Sequence, residues 1–164
     1  MFRTAVITVS DSGFRGERID ISGPAVVELL KQNGFAVTSH IIVPDEQHAI
    51  ENALCEQAEQ ARLVVTTGGT GVAPRDVTPE ATRAVCGRVL DGFAEVMRAE
   101  GRKQTQFAPL SRAVSAIRGT TLIVNLPGSP QGATTSLQAV LALIPHVLTL
   151  LDETGTQHDH HNGL

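Results

Sequence analysis

The sequence predicts an α/β fold built on a mostly parallel sheet with one short antiparallel hairpin. Short apolar, β-branched runs alternate with stretches of helical periodicity, a glycine-rich turn follows the third of these runs, and two further apolar runs lie only a few residues apart.

The first strand covers residues 2–9. Ser22 caps a helix over residues 23–33, with Val26, Val27, Leu29 and Leu30 on its inner side and Gly34 as its stop. A second strand follows at 35–43. Residues 46–61 place Ile50, Ala53, Leu54, Gln57, Ala58 and Ala61 at helical spacing and return the chain to a third strand at 63–66, completing two βαβ units. Thr78, Pro79 and Glu80 start the next helix, which reaches residue 86: a hydroxyl as N-cap, a proline in the first turn and an acid at the positive dipole end. Another helix spans 92–102 with Phe93, Val96 and Met97 turned inward. Residues 113–117 and 121–124 form the hairpin across Arg118-Gly119-Thr120. Ser129 caps a last helix with Leu137, Val140, Leu141 and Ile144 as its buried stripe, and Pro145 kinks or restarts it.

At 164 residues the chain suits one domain, here expected over 1–153, with a flexible His-rich tail at 154–164. That tail holds His158, Asp159, His160 and His161; a solvated end is the plain reading and weak transition-metal binding the sharper one. A net charge of −4, with five Phe and no Tyr or Trp, argues against a nucleic-acid binder, which needs basic stripes and stacking rings. Cys55 and Cys86 read as buried free thiols inside helices. The start of the chain lacks the pattern of a signal peptide, and the apolar stretch 137–151 is interrupted by Gln138, Pro145 and His146 and too short to span a bilayer, so no membrane is expected and the cytoplasm is the default location.

The glycine-rich turn carries the chemistry. Thr66-Thr67-Gly68-Gly69-Thr70-Gly71 leaves a buried strand, and Pro74-Arg75-Asp76-Val77-Thr78-Pro79 follows three residues later. Main-chain amides at such a turn attract anions, but no lysine follows Gly71 and no G-x-G-x-x-G opens a helix after the first strand, so neither a P-loop nor an ordinary dinucleotide site is present. With Thr78 as the cap, Asp76 is left without a structural task. A carboxylate beside a phosphate site is unfavourable unless a cation lies between them, and Mg²⁺ commonly binds one or two carboxylates plus phosphate oxygens. A Mg-nucleotide or similar phosphate ester is the expected ligand.

In a parallel sheet the loops leaving the carboxyl ends of the strands meet at one rim. Those loops hold Ser10-Asp11-Ser12-Gly13 with Asp20-Ile21-Ser22-Gly23-Pro24; Pro44-Asp45-Glu46; the glycine turn; and Asn125-Leu126-Pro127-Gly128-Ser129-Pro130. Each has a plainer alternative: Asp11 and Ser12 as turn formers, Asp45 as a helix cap, Asn125–Ser129 as a strand exit, and Ser111-Arg112 and Arg75 as solvated surface.

Taken together and in order, these motifs, with Glu80-Ala81-Thr82 and Leu110-Ser111-Arg112, resemble the MogA-type molybdopterin adenylyltransferases over residues 4–151. The stretch 66–82 is specific to the wider molybdenum-cofactor-biosynthesis superfamily, which also holds MoaB proteins, one domain of the molybdenum insertases and CinA nucleotide-processing proteins; Pro74 and the Asn-Leu-Pro-Gly-Ser-Pro run favour MogA. The resemblance implies a three-layer, doubly wound α/β fold, a homotrimer, and transfer of AMP from ATP to the terminal phosphate of molybdopterin with release of pyrophosphate. It implies Asp45 and Asp76 as the catalytic, Mg²⁺-holding carboxylates. Gly68, Gly69, Thr70 and Gly71 would cradle phosphate, and Asp11, Ser12, Arg75, Ser111, Arg112, Asn125, Pro127, Gly128 and Ser129 would bind the two ligands, with pterin and adenine unassigned between loops. A molybdenum insertase would act downstream. Two departures stand out: Ala94 in Gly92-Phe93-Ala94-Glu95, where relatives often carry glycine, and Gln131, where they frequently carry lysine. A catalytically idle pterin-binding scaffold and a CinA-like nucleotide hydrolase are the rival readings.

Overall fold

A computed structural model describes residues 1–158, with side chains through Glu153. Six strands form one sheet in the order β2-β1-β3-β6-β5-β4, where β1 is Arg3–Val9, β2 Ala36–Val43, β3 Leu63–Thr67, β4 Arg88–Val89, β5 Ser115–Arg118 and β6 Thr121–Leu126. The first four in that order are parallel; β5 is antiparallel to β6, and β4 to β5. The helices are α1 Asp11–Phe14, α2 Ser22–Gln32, α3 Gln47–Gln60, α4 Thr78–Val85, α5 Asp91–Arg102, α6 Pro130–Leu141 and α7 Ile144–His158, with a 3₁₀ turn at Ala108–Leu110.

Strand alternation builds the three layers. Val6, Leu63, Val65, Leu122 and Val124 point to one face and pack with apolar residues of α2, α5, α6 and α7. Their neighbours Ala5, Ile7, Val9, Val64 and Ile123 point to the other, against Ile50, Ala53 and Leu54 of α3 and Ala81 of α4. Both faces being covered explains why these strands are continuously apolar rather than alternating with polar residues. The chain passes from β1 to β2 on one side and then returns beyond β1 to β3, so the loops leaving β1 and β3 diverge and open a crevice between them.

Several elements differ from expectation. Ser22 does not cap α2: it is buried, its hydroxyl is bonded to Thr67 Oγ1, and Asp20 Oδ1 accepts the Gly23 amide in its place. Thr78 makes no cap either, because its hydroxyl points back into the glycine turn. Val96 is 42% exposed; Phe93, Ala94 and Met97 form the inner face of α5. Helix α1 is too short for periodicity to reveal and is fixed by Ser10 Oγ accepting the Gly13 amide. β4 is two residues long and exists only through pairing with Ile117 and Ala116. Cys55 and Cys86 are free but half-buried, and Cys86 lies just beyond α4, where burial pushes its thiol up to about 11. Pro145 does restart the last helix, with a 56° bend between α6 and α7. α7 continues to His158, so the expected tail begins as helix; His160 and His161 lie outside the described residues. Among the described residues no single helix is long and apolar enough to cross a membrane.

Beneath the crevice lies a polar network inside the sheet. Asn125 is fully buried; its Oδ1 accepts the Val114 amide, and its Nδ2 donates to Thr66 Oγ1 and Thr82 Oγ1 at 3.1 and 3.0 Å. Because Val114 is held by this side chain, β5 starts at Ser115 rather than at 113. Asn125→Ala strands the Val114 amide and the Thr66 hydroxyl out of water and takes one bond from Thr82, whose hydroxyl keeps the Thr78 carbonyl, so we expect a loss of about 3 kcal/mol. For a domain of this size that is a Tm drop of roughly 6–12 °C by differential scanning calorimetry. A drop of only a degree or two would remove this network from the account.

Candidate active site

The glycine turn is held open from three sides. Gly68 and Gly69 have φ of +103° and +67°, and a Cβ on Gly68 would stand 2.3 Å from the Val9 carbonyl oxygen. A Cβ on Gly69 would stand 2.4 Å from Thr78 Oγ1 and 3.2 Å from Asp45 Oδ1. Only glycine fits at either position. Thr78 anchors the turn by donating its hydroxyl to the Gly68 carbonyl and its amide to that of Gly69. The amides of Gly69, Thr70 and Gly71 have no hydrogen-bond partner among the described residues, which leaves them available to an anion.

Arg112 braces the far end of this turn. Its Nε donates to the Gly71 carbonyl and its Nη2 to that of Asp76, both at 2.7 Å, while its amide donates to the Thr70 carbonyl. Glu80 completes the pairing, which lowers the Glu80 carboxyl and raises the guanidinium. Every edge of Arg112 is therefore committed within the protein.

Asp11 is the centre of a second clasp. Its Oδ2 and Oδ1 accept from Arg75 Nε and Nη2 at 2.6 and 3.0 Å. Its amide donates to Asp45 Oδ2 at 2.8 Å, and the Asp45 amide donates back to Asp11 Oδ1 at 3.0 Å. Three loops are thereby fastened together: those after β1 and β2, and the one bearing Asp76. Asp45 does not cap α3, since that helix shows no side-chain cap bond. Asp76 Oδ2 accepts the Ala73 amide at 3.0 Å and lies close to Gly71.

Two cavities meet at these residues. The larger, about 640 Å³, lies between the glycine turn, α5 and the start of α6; the smaller, about 510 Å³, lies between the β1 loop, α2 and Asp45. Gly69, Asp76, Gly128 and Ser129 line both, forming the waist of one two-lobed cleft. Of the residues singled out from sequence, Thr70, Gly71, Ser111 and Pro127 line the larger lobe, and Gly68 and Asp45 the smaller. Asp11, Ser12, Arg75, Arg112 and Asn125 line neither. Residues that sequence reading missed include Arg98, Gln104 and Thr135 in the larger lobe and Thr8 and Arg18 in the smaller. On α5 a signal existed: Ala94, Met97, Arg98 and Gly101 repeat at i, i+3, i+4 and i+7, and that face lines the cavity.

Burial pushes the Asp45 carboxyl above the usual range; the Asp11 amide partly offsets this, and the nearby Asp11 and Asp76 carboxylates add to the rise. Asp11 is shifted down by its bonds to Arg75.

This fold and cleft define a member of the molybdenum-cofactor-biosynthesis class: the chain belongs to the family described as "Probable molybdopterin binding domain", whose model matches residues 5–146. Among individual relatives, it is 42% identical over 150 residues to the molybdopterin adenylyltransferase of Helicobacter pylori J99, covering 89% of this chain and 85% of that protein. The Escherichia coli K12 molybdopterin adenylyltransferase is 38% identical over 92% of this chain and 85% of its own length. The chain spans only a quarter of the Drosophila melanogaster molybdenum cofactor synthesis protein cinnamon, at 42% identity. A crystal structure of the molybdopterin biosynthesis enzyme MoaB from Thermus thermophilus superposes with a TM-score of 0.87 at 50% identity, covering 92% of this chain and 96% of that one.

The raised Asp45 carboxyl has a measurable consequence. Folding holds its proton more tightly than the unfolded chain does, so this group favours the native state at low pH, and that contribution is lost as pH rises past the raised value. We expect Asp45→Asn, which keeps an acceptor for the Asp11 amide, to have a higher Tm than the wild type at pH 7 in the absence of divalent cations, with the difference closing towards pH 4. Thermal melts across that range check it, and a lower Tm for the variant at pH 7 would contradict the electrostatic account.

Proposed function

We propose that this chain is a molybdopterin adenylyltransferase, which transfers AMP from ATP to the terminal phosphate of molybdopterin. The observation that carries the reading is the two-lobed cleft whose shared waist holds the glycine turn and Asp76 and faces Asp45. One ligand per lobe brings two phosphate-bearing molecules together at the waist. A phosphate oxygen of the acceptor attacks the α-phosphorus of ATP, the bond to the β-phosphate oxygen breaks, and pyrophosphate leaves. Such transfer requires little covalent help from the protein; positioning and charge neutralisation supply most of the acceleration.

The donor set fits a hard divalent cation completed by the substrate. Among the described residues no group of three or more His, Cys, Asp or Glu is placed to hold a metal alone. Two carboxylates with phosphate oxygens and water are the usual surroundings of Mg²⁺, and Asp45 and Asp76 would provide the carboxylates. Bound there, Mg²⁺ would neutralise developing charge on the phosphates. The free amides of Gly69, Thr70 and Gly71 would hold phosphate oxygens, and Arg112 and Thr78 keep those amides in place from behind. To the same reading belong a homotrimer, a cytoplasmic location and hand-over of the product to a molybdenum insertase.

Incubation with molybdopterin and Mg-ATP tests the proposal: adenylylated pterin and pyrophosphate are expected. Pterin retained without product would mean a scaffold, and cleavage of a dinucleotide without pterin a hydrolase. Asp45→Asn and Asp76→Asn should each fold and lose at least about 100-fold in turnover, the scale of removing one preorganised electrostatic group; wild-type rates in both would refute the assignment. Asp11 and Arg75 act through Asp45, so Asp11→Asn, Arg75→Gln and the double variant should lower kcat/KM by a similar factor, because one clasp is broken in all three. Additive losses in the double variant would mean separate roles.

A further inference from the structure

Of the three arginines beside the larger lobe and its turn, two are committed inside the protein: Arg75 to Asp11 and Arg112 to Glu80. Arg98 is not. It is half-buried on α5, has no carboxylate partner among the described residues, and makes one long hydrogen bond, 3.4 Å, to the Ser111 carbonyl. Among the described residues, Asp76 and Arg98 are the only charged ones lining the larger lobe. Around them stand neutral hydrogen-bonding side chains, Gln104, Gln131 and Thr135, on an apolar floor that includes Met97. Gln131 donates to Gln104 at 2.9 Å, so it adds no charge and is itself engaged.

A guanidinium removed from much of its water and left without a counter-charge is unfavourable unless a ligand supplies one. From this geometry we infer that Arg98 is the anion-holding residue of the larger lobe, pairing with a phosphate or another anionic group on a heterocyclic ligand. Neutral amides and hydroxyls would read the ring while Arg98 fixes the charged end in a two-pronged grip suited to phosphate oxygens. The inference rests on the transferase reading for the identity of the ligands, and on the cavity alone for the presence of the anion.

Molybdopterin, Mg-ATP and inorganic pyrophosphate are titrated separately into the full-length wild type, Arg98→Gln and Arg98→Lys. The chain has no Trp or Tyr, so pterin emission is read without protein background. In Arg98→Gln, at least one of these ligands is expected to bind tenfold or more weakly, about 1.4 kcal/mol, with Tm unchanged and Arg98→Lys recovering part of the loss. Affinities within twofold of wild type for all three overturn the inference, and so does an equal loss of all three accompanied by a lower Tm, which marks a purely structural residue. A second measurement needs no variant: phenylglyoxal should modify Arg98 in the free protein, located by peptide mass mapping, and a bound ligand should protect it. No modification, or no protection, overturns the inference. If Arg98 holds an anion while the wild type makes no adenylylated pterin, the transferase reading fails and this inference stands.

Discussion

The cleft depends on one close approach: Thr78 and Asp45 occupy the space where a side chain on residue 69 would be. That contact joins the loop after β2 to the loop after β3, although the two strands are separated in the sheet by β1. It requires glycine at 69, sets the turn against the start of α4 through Thr78, and holds Asp45 beside the free amides. A larger residue there would displace either the carboxylate or the anchor, and both belong to the site.

Around that contact the protein distributes charge economically. Arg75 and Arg112 neutralise Asp11 and Glu80 in the framework; of the carboxylates that line the smaller lobe, Asp20 is engaged by Thr8, Gly23 and His40, while Asp45 and Asp76 have no cation partner among the described residues. The pairing of Arg75 with Asp11 is largely exposed and contributes little to stability, as surface ion pairs usually do. Its value lies in geometry, since the same Asp11 exchanges two main-chain hydrogen bonds with Asp45. The framework arginines thus act on the shape of the site rather than on its net charge.

Much of the architecture is legible in the sequence because its signals are local. Continuous apolar strands, the glycine run and Pro130 after Ser129 each fix their own element, and Ser129 does cap α6 by accepting the Gly132 amide. The misreadings arise where a residue serves a distant partner. Thr78 and Ser22 have the composition of helix caps, yet their hydroxyls are spent on Gly68 and Thr67, ten and forty-five positions away. Asn125 resembles a rim residue in a strand exit but is interior, because Thr66 and Thr82 offer it partners that only the folded sheet assembles. Arg98 escaped notice because the i, i+3, i+4, i+7 row of Ala94, Met97, Arg98 and Gly101 marks one face of α5 without showing that this face meets a cavity rather than solvent.

If Asp45 holds the proposed Mg²⁺, its upward shift would make the cleft a site where protons and cations exchange places. Were a divalent ion to settle against that carboxylate, any proton held there would have to leave, so the enthalpy of association recorded calorimetrically would vary with the ionisation heat of the buffer wherever the pH is low enough for Asp45 to be partly protonated. The reciprocal would hold as well: acidification would compete directly with the ion. On the proposed reading, a single side chain would couple the acidity of the surroundings to nucleotide capture.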